Sequence, residues 1–109
     1  MTLHAKTWNN GQHHASGAGY GLKISLEDRQ MYFNPKWRTV VLHLLGYPTP
    51  IEVNVAKPSF WNRTCGELIK KDIGIWFHDN NRHVWPNGNP HSVKMKLIRE
   101  REFTVEIPN

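Results

Sequence analysis

The chain has little cysteine and no long hydrophobic segment, and both deficits limit the kind of protein it can be. Its 109 residues include a single cysteine, so no disulfide can form within the chain. A chain without disulfides is typical of a reducing compartment, and the first residues lack the apolar core of a signal peptide. No stretch approaches the roughly 18 consecutive apolar residues of a membrane-spanning helix. We therefore predict a cytoplasmic protein with no membrane partner.

Acidic residues are also scarce. Nine Asp and Glu stand against fourteen Lys and Arg, which gives a formal net charge of +5 and an isoelectric point near 9.6. A positive field of this kind attracts nucleic acid and other polyanions. The basic residues are scattered, however, and no run of like charge reaches five residues.

Two stretches have the apolar spacing of a helix. Residues 64–80 predict the principal helix, because they open with the S/T-x-x-E pattern of a capping box at Thr64. At about 100° per residue their apolar side chains cover an arc of roughly 200°. A surface helix needs a stripe only somewhat wider than 100°, so this helix should be covered on two sides. Residues 26–33 predict a short helix that ends before Pro35.

Apolar residues at alternate positions predict the strands. Residues 37–55 predict an antiparallel hairpin around a turn at 46–50, and residues 92–107 predict a second, closing hairpin. Residues 2–7 predict a short edge strand, and residues 20–24 a further strand.

These elements predict an α+β fold in a single small domain over residues 1–109. We expect a strongly bent, mainly antiparallel sheet or open barrel, packed around the principal helix (64–80) together with the short helix (26–33). Residues 8–19 are rich in Gly, Asn and His and predict a flexible loop.

A pocket is predicted around Asp72, with Trp76 and His83. On the helical wheel Asp72 lies inside the apolar arc, where an unpaired carboxylate would cost several kcal/mol. It must therefore be paired and hydrogen-bonded, or protonated. One hypothesis is that Asp72 anchors the loop 80–91 by hydrogen bonds. The alternative is an acid or base at the floor of a pocket, with a pKa raised by desolvation.

No catalytic motif and no metal site is predicted. Cys65 would occupy the start of the principal helix, where a thiol pKa can be lowered, but its wheel position faces the core. The spacing of five between His78 and His83 fits no zinc template, and the adjacent pair His13-His14 lies in the loop. We expect no cofactor.

A nucleic-acid surface is the best candidate for function. Lysines neutralise phosphates, and an exposed tryptophan stacks on bases. Each feature has an alternative role. Outward lysines such as Lys94 and Lys96 can prevent an edge strand from pairing with other chains. Trp85 equally suits a turn whose side chain packs into the core. The candidate residues are Lys70, Lys71, Arg82, Trp85, Lys94, Lys96 and Arg99.

The sequence therefore favours a small basic binding module with nucleic acid or another acidic partner as its ligand. Two alternatives stay open. One is a small enzyme with a pocket around Asp72 and the loop 80–91. The other is a protein–protein interaction domain that forms a homodimer through surplus aromatic residues such as Trp8, Tyr32 or Trp61.

Overall fold

Burial alternates along most of the strands, which places every second side chain against a common core. A computed structural model describes residues 1–12 and 14–108 of the chain. The strands within these residues are β1 (Thr2–Asn9), β2 (Tyr20–Ser25), β3 (Thr39–Leu44), β4 (Ile51–Asn54), β5 (Cys65–Ile69), β6 (Ser92–Arg99) and β7 (Glu102–Glu106). The helices are α1 (Leu26–Tyr32), α2 (Pro58–Trp61) and α3 (Lys71–Asp79). None of these described helices is long and apolar enough to cross a membrane.

The strands form one mixed sheet in the order β4-β3-β7-β6-β1-β2-β5. Neighbouring strands are antiparallel except β3 and β7, which are parallel. The edge strands β4 and β5 also contact each other, so the sheet curls into a nearly closed barrel. The predicted α+β fold with a strongly bent sheet is thereby confirmed, and both predicted hairpins are present as β3–β4 and β6–β7.

Aromatic rings fill much of the core. Phe33 stacks on Phe103 with ring centroids 5.2 Å apart, and Phe60 packs against Phe33 at 5.4 Å. From α3, the buried Trp76 donates its indole N–H to the Leu45 carbonyl at 2.9 Å. Because its N–H is hydrogen-bonded, the indole can be buried without an unsatisfied polar group. The bond also fixes α3 against the end of β3.

The short helix is confirmed as α1, with Ser25 as its N-cap. The hydroxyl oxygen of Ser25 accepts the amide N–H of Asp28 at 3.2 Å. The same helix carries Arg29, which is 4% exposed. Its Nη1 donates to the carbonyls of Phe60 at 2.6 Å and Arg63 at 2.9 Å, and so ties α1 to α2 and the start of β5.

The predicted helix over residues 64–80 is wrong over residues 64–70. Residues 65–69 form β5, which pairs with β2, and the helix is limited to Lys71–Asp79. Because Leu68 fits both the apolar stripe of a helix and the inner face of a strand, the pattern was compatible with either structure. Backbone pairing with β2 decides between them. The predicted capping box does not start a helix, and Lys70 precedes α3 without a side-chain cap.

Strand β1 differs from its prediction in place and length. It lies between β6 and β2 in the sheet and is therefore not an edge strand. It extends to Asn9, so Trp8 and Asn9 belong to the sheet and not to the loop. In the connection that follows, Gly17 is buried against Gly74 of α3. The flexibility of this loop stays a prediction.

Candidate functional site

The sheet register gathers five basic side chains on one outer face, which we call the basic face. Directly paired residues of neighbouring strands project to the same side of a sheet, as do residues two apart on one strand. Lys6 is paired with Lys23, and His4 with Lys94. The basic face consists of His4 and Lys6 on β1, Lys23 on β2, and Lys94 and Lys96 on β6. It spans three adjacent strands on the side away from the core.

Three acidic side chains border the basic face: Glu106 and Glu67, each next to one lysine, and Glu27 at the start of α1, which lines a groove together with Lys6 and Lys23. Glu106 Oε1 on β7 lies 3.6 Å from Lys94 Nζ. On the opposite border, Glu67 of β5 is paired in register with Lys23. None of these acids lies on β1, β2 or β6, so the centre of the face keeps its positive charge.

Lys6 and Lys96 are exposed and form no ion pair within the part of the chain that the structure describes. Lys6 also stands directly opposite Lys23. Like charges in cross-strand register are destabilising, by an amount of the order of 0.2–1 kcal/mol. The register therefore places two positive charges side by side at a cost to the stability of the sheet.

Two shallow grooves flank the centre of the basic face, and together they include all five of its side chains. The first has a volume of about 590 Å³ and is lined by His4, Lys6, Lys23, Ser25, Leu26, Glu27, Thr64, Cys65 and Pro90. The second has a volume of about 500 Å³ and is lined by His43, Leu44, Leu45, Gly46, Lys94, Lys96, Thr104, Val105 and Glu106. An extended ligand that crosses β2, β1 and β6 would contact lysines in both grooves.

A separate charge cluster occupies the turn between β6 and β7. Glu102 Oε1 lies 2.5 Å from both Arg99 Nη1 and His43 Nε2. The hydrogen bond from Arg99, followed by that from His43, holds the pKa of the Glu102 carboxyl below its usual range. Arg99, a predicted nucleic-acid contact, is thus paired with an acid at the end of the strand that carries Lys94 and Lys96.

The predicted nucleic-acid residues do not all meet on one surface. Lys94 and Lys96 are brought together on the basic face. Lys70 and Lys71 are exposed at the start of α3, and Arg82 donates to the carbonyls of Asn80 and Asn81 in the following loop. Trp85 is half-buried and packs edge-on against Tyr20, Phe77 and His91, with centroids 6.0–6.5 Å apart. That packing agrees with the alternative in which Trp85 packs into the core. The nucleic-acid role of Lys70, Lys71, Arg82 and Trp85 stays a prediction.

Asp72 does not anchor the loop 80–91 in the described structure, and that hypothesis is wrong. Its Oδ2 accepts the phenolic O–H of Tyr47 at 2.8 Å, so the carboxylate holds the turn between β3 and β4. This hydrogen bond is the main cause, and burial the second, of a pKa of Tyr47 above its ordinary value. The other two predicted pocket residues are held elsewhere: Trp76 binds Leu45, and His83 stacks on His78 with centroids 4.0 Å apart.

Cys65 lies in β5 and not at the first turn of a helix, so the predicted influence of a helix dipole on its thiol is wrong. The thiol is half-buried and lies 3.4 Å from Glu67 Oε2. Burial, and then the hydrogen bond to Glu67, raises the pKa of the Cys65 thiol. Since the thiolate is the nucleophile, this environment disfavours nucleophilic chemistry at neutral pH.

Hydrogen bonds to backbone carbonyls hold the loop 80–91. Tyr20 donates its O–H to the His83 carbonyl at 3.1 Å, and His91 Nε2 lies 3.1 Å from the Val84 carbonyl. His78 Nε2 lies 3.0 Å from the His14 carbonyl. Among the described residues no three His, Cys, Asp or Glu side chains form a metal-binding group. The adjacent His13 lies outside the described residues.

Sequence reasoning missed His4, Lys6 and Lys23 as members of the basic face. A partial signal was present, because Lys6 and Lys23 each lie between residues that the structure buries. Their positions on one outer face depend on β1 pairing with both β2 and β6, and this pairing is not visible in the alternation of a single strand.

The chain matches no family model, no curated protein and no solved structure.

Proposed function

We propose that this chain is a nucleic-acid-binding module whose basic face contacts phosphate groups. The observation that carries the proposal is the cluster of four lysines on three adjacent strands, three of them without an ion pair among the described residues. A fold that keeps Lys6 opposite Lys23 retains an unfavourable interaction. A polyanion lying across the face would remove that repulsion, because each phosphate interacts with both lysines.

The chemistry of lysine agrees with recognition of a backbone. An ammonium group is a point charge with rotatable donors, so it does not require one fixed geometry of its ligand. Contacts of this kind position a nucleic acid without reading its sequence. We therefore expect weak sequence preference and an affinity that depends strongly on salt.

The test is the salt dependence of oligonucleotide binding, measured by fluorescence anisotropy. For three or four phosphate contacts to a single strand, the slope of log K against log salt concentration should be about −2 to −3. The double variant Lys6→Glu with Lys96→Glu should bind about tenfold or more weakly at low salt and show a slope smaller in magnitude by about 1.4.

A matched control separates a defined site from net charge alone. Lys36 and Arg38 are exposed and lie off the basic face, in the segment between α1 and β3. The variant Lys36→Glu with Arg38→Glu has the same net charge as the first variant and should keep most of the affinity. Equal losses in the two variants, or a wild-type affinity that is indifferent to salt, would contradict the proposal.

A further inference from the structure

Trp8 differs from the other tryptophans in its surroundings. Trp76 is buried, and Trp37, Trp61 and Trp85 are partly buried and pack against the core. Trp8 is half-buried at the end of β1 but is not among the residues packed against the described core. Because Leu3, Ala5 and Thr7 face inward, Trp8 projects to the outer side of the sheet.

The register places Trp8 directly beside the basic face. It lies two residues after Lys6 on the same strand, about 7 Å further along β1. Across the sheet it is paired with Gly21, whereas Lys6 is paired with Lys23. The cross-strand pair Lys6–Lys23 and the cross-strand pair Trp8–Gly21 therefore lie next to each other on one face of the sheet.

The cross-strand partner of Trp8 is Gly21, which has no side chain and is itself buried. Gly21 is paired in turn with Ile69 of β5, which is 38% exposed. A Cβ added at Gly21 would lie 2.5 Å from the Leu68 carbonyl oxygen, so the close approach of β5 requires glycine here. Trp8, Gly21 and Ile69 therefore lie in one cross-strand row of apolar residues, next to the row that contains Lys6 and Lys23.

We infer that the nucleic acid bound by this protein is single-stranded, and that one of its bases stacks on Trp8 while its phosphates lie along Lys6 and Lys23. This inference rests on the proposed function. A base within a duplex has both faces covered by its neighbours, so a ring on a sheet surface can stack only on an unpaired base. Lysines for the backbone beside an aromatic platform for a base are the combination that single strands require.

Three probes test the inference: a deoxythymidine oligonucleotide of about ten residues, a duplex of the same length, and inorganic polyphosphate, which has phosphates but no bases. The wild-type protein should bind the single strand more tightly than the duplex. Trp8→Ala should weaken single-strand binding about 5- to 150-fold, the range expected for the loss of one stacked base. It should leave polyphosphate binding and the salt slope unchanged.

Two comparisons make the result specific to stacking. Trp8→Phe keeps an aromatic ring and should retain most of the single-strand affinity. Lys6→Glu should weaken binding of the oligonucleotide and of polyphosphate alike, because it removes a phosphate contact. Because Trp8 is half-buried, binding is compared well below the thermal melting temperature of Trp8→Ala, so that a loss reflects the missing ring and not misfolding.

Base stacking on Trp8 and phosphate binding by the basic face can fail independently in these experiments. Equal affinity for duplex and single strand, or an equal loss of polyphosphate binding in Trp8→Ala, would overturn the stacking inference and leave phosphate binding by the basic face in place. Failure of the wild-type protein to bind any of the three probes would overturn both.

Discussion

At the scale of single residues, the Tyr47–Asp72 hydrogen bond shows how a carboxylate from a helix is accommodated. Asp72 lies in the first turn of α3, where the helix dipole favours a negative charge. Its partner Tyr47 comes from the turn that joins β3 to β4. The bond therefore connects two segments 25 residues apart in sequence, and it fixes α3 at the same end of the sheet as the Trp76–Leu45 bond.

Tyr47→Phe should destabilise the protein in a pH-dependent way. The pKa of Tyr47 is raised above its ordinary value of 10.0, first by the bond to Asp72 and then by burial. A group whose pKa is higher in the folded state contributes stability in full below its unfolded pKa and loses it as pH rises through the folded pKa. At neutral pH the variant should lose about 1 kcal/mol of unfolding free energy.

The measurement is urea unfolding of both proteins at neutral pH and at a series of values above pH 10. The difference between wild type and Tyr47→Phe should be largest near neutrality and should shrink as the phenol ionises. A difference that stays constant across the series would show that the hydrogen bond does not contribute to the folded state.

At the scale of elements, the strands with clear alternation were predictable and the segment after residue 64 was not. Both hairpins and α1 follow from local patterns and from the Ser25 cap, which act within a few residues. In residues 65–69 the local pattern permits a helix, and the outcome depends on hydrogen bonds to β2 about 45 residues away in the sequence. Tertiary pairing of this kind overrides propensity and leaves no local signal.

The contact between α3 and the loop before β2 depends on two glycines. A Cβ added to Gly74 would lie 2.1 Å from the Gly17 carbonyl oxygen and 2.5 Å from its Cα. These are backbone atoms, which cannot move aside as the end of a flexible side chain can. The helix and the loop therefore approach each other as closely as they do because neither residue has a side chain.

Gly74→Ala should destabilise the protein although alanine is the better helix former. The substitution gains about 1 kcal/mol of helix propensity. The clash with Gly17 should exceed this gain and leave a net loss of about 1–3 kcal/mol, as for other overpacked sites.

Chemical denaturation measures this loss, and hydrogen exchange at Gly17, whose amide donates to the His14 carbonyl, shows whether the loop has moved. Lys71→Ala, at an exposed position of the same helix, is the control and should change stability by no more than about 0.5 kcal/mol. If Gly74→Ala were more stable than the wild type, the close contact would not restrict the helix.

At the scale of the whole molecule, the topology determines what the sequence could reveal about the site. Lys94 and Lys96 were identifiable because they alternate with buried residues on one strand. Lys6 and Lys23 join them only because β1, near the start of the chain, is inserted between β2 and β6. A local pattern does not report on such an insertion, so the centre of the basic face and its neighbour Trp8 could be located only in the folded chain.

One substitution on this face should have opposite effects on stability and on binding. Lys6→Glu replaces the repulsion between Lys6 and Lys23 by an attraction, which should raise the unfolding free energy by about 0.2–1 kcal/mol. The gain should diminish as salt is added, because both groups are exposed and their interaction is screened. The same variant should bind oligonucleotides more weakly, since a phosphate contact has become a repulsion.

Unfolding and binding measured on the same preparation of Lys6→Glu test this opposition, with Lys36→Glu as the control for net charge. Residues selected for binding are often maintained at some cost to stability. If Lys6→Glu lowered stability and left binding unchanged, Lys6 would serve the sheet and not a ligand. If it raised stability and weakened binding while Lys36→Glu did neither, the binding of a polyanion would explain why the unfavourable pair Lys6–Lys23 is present.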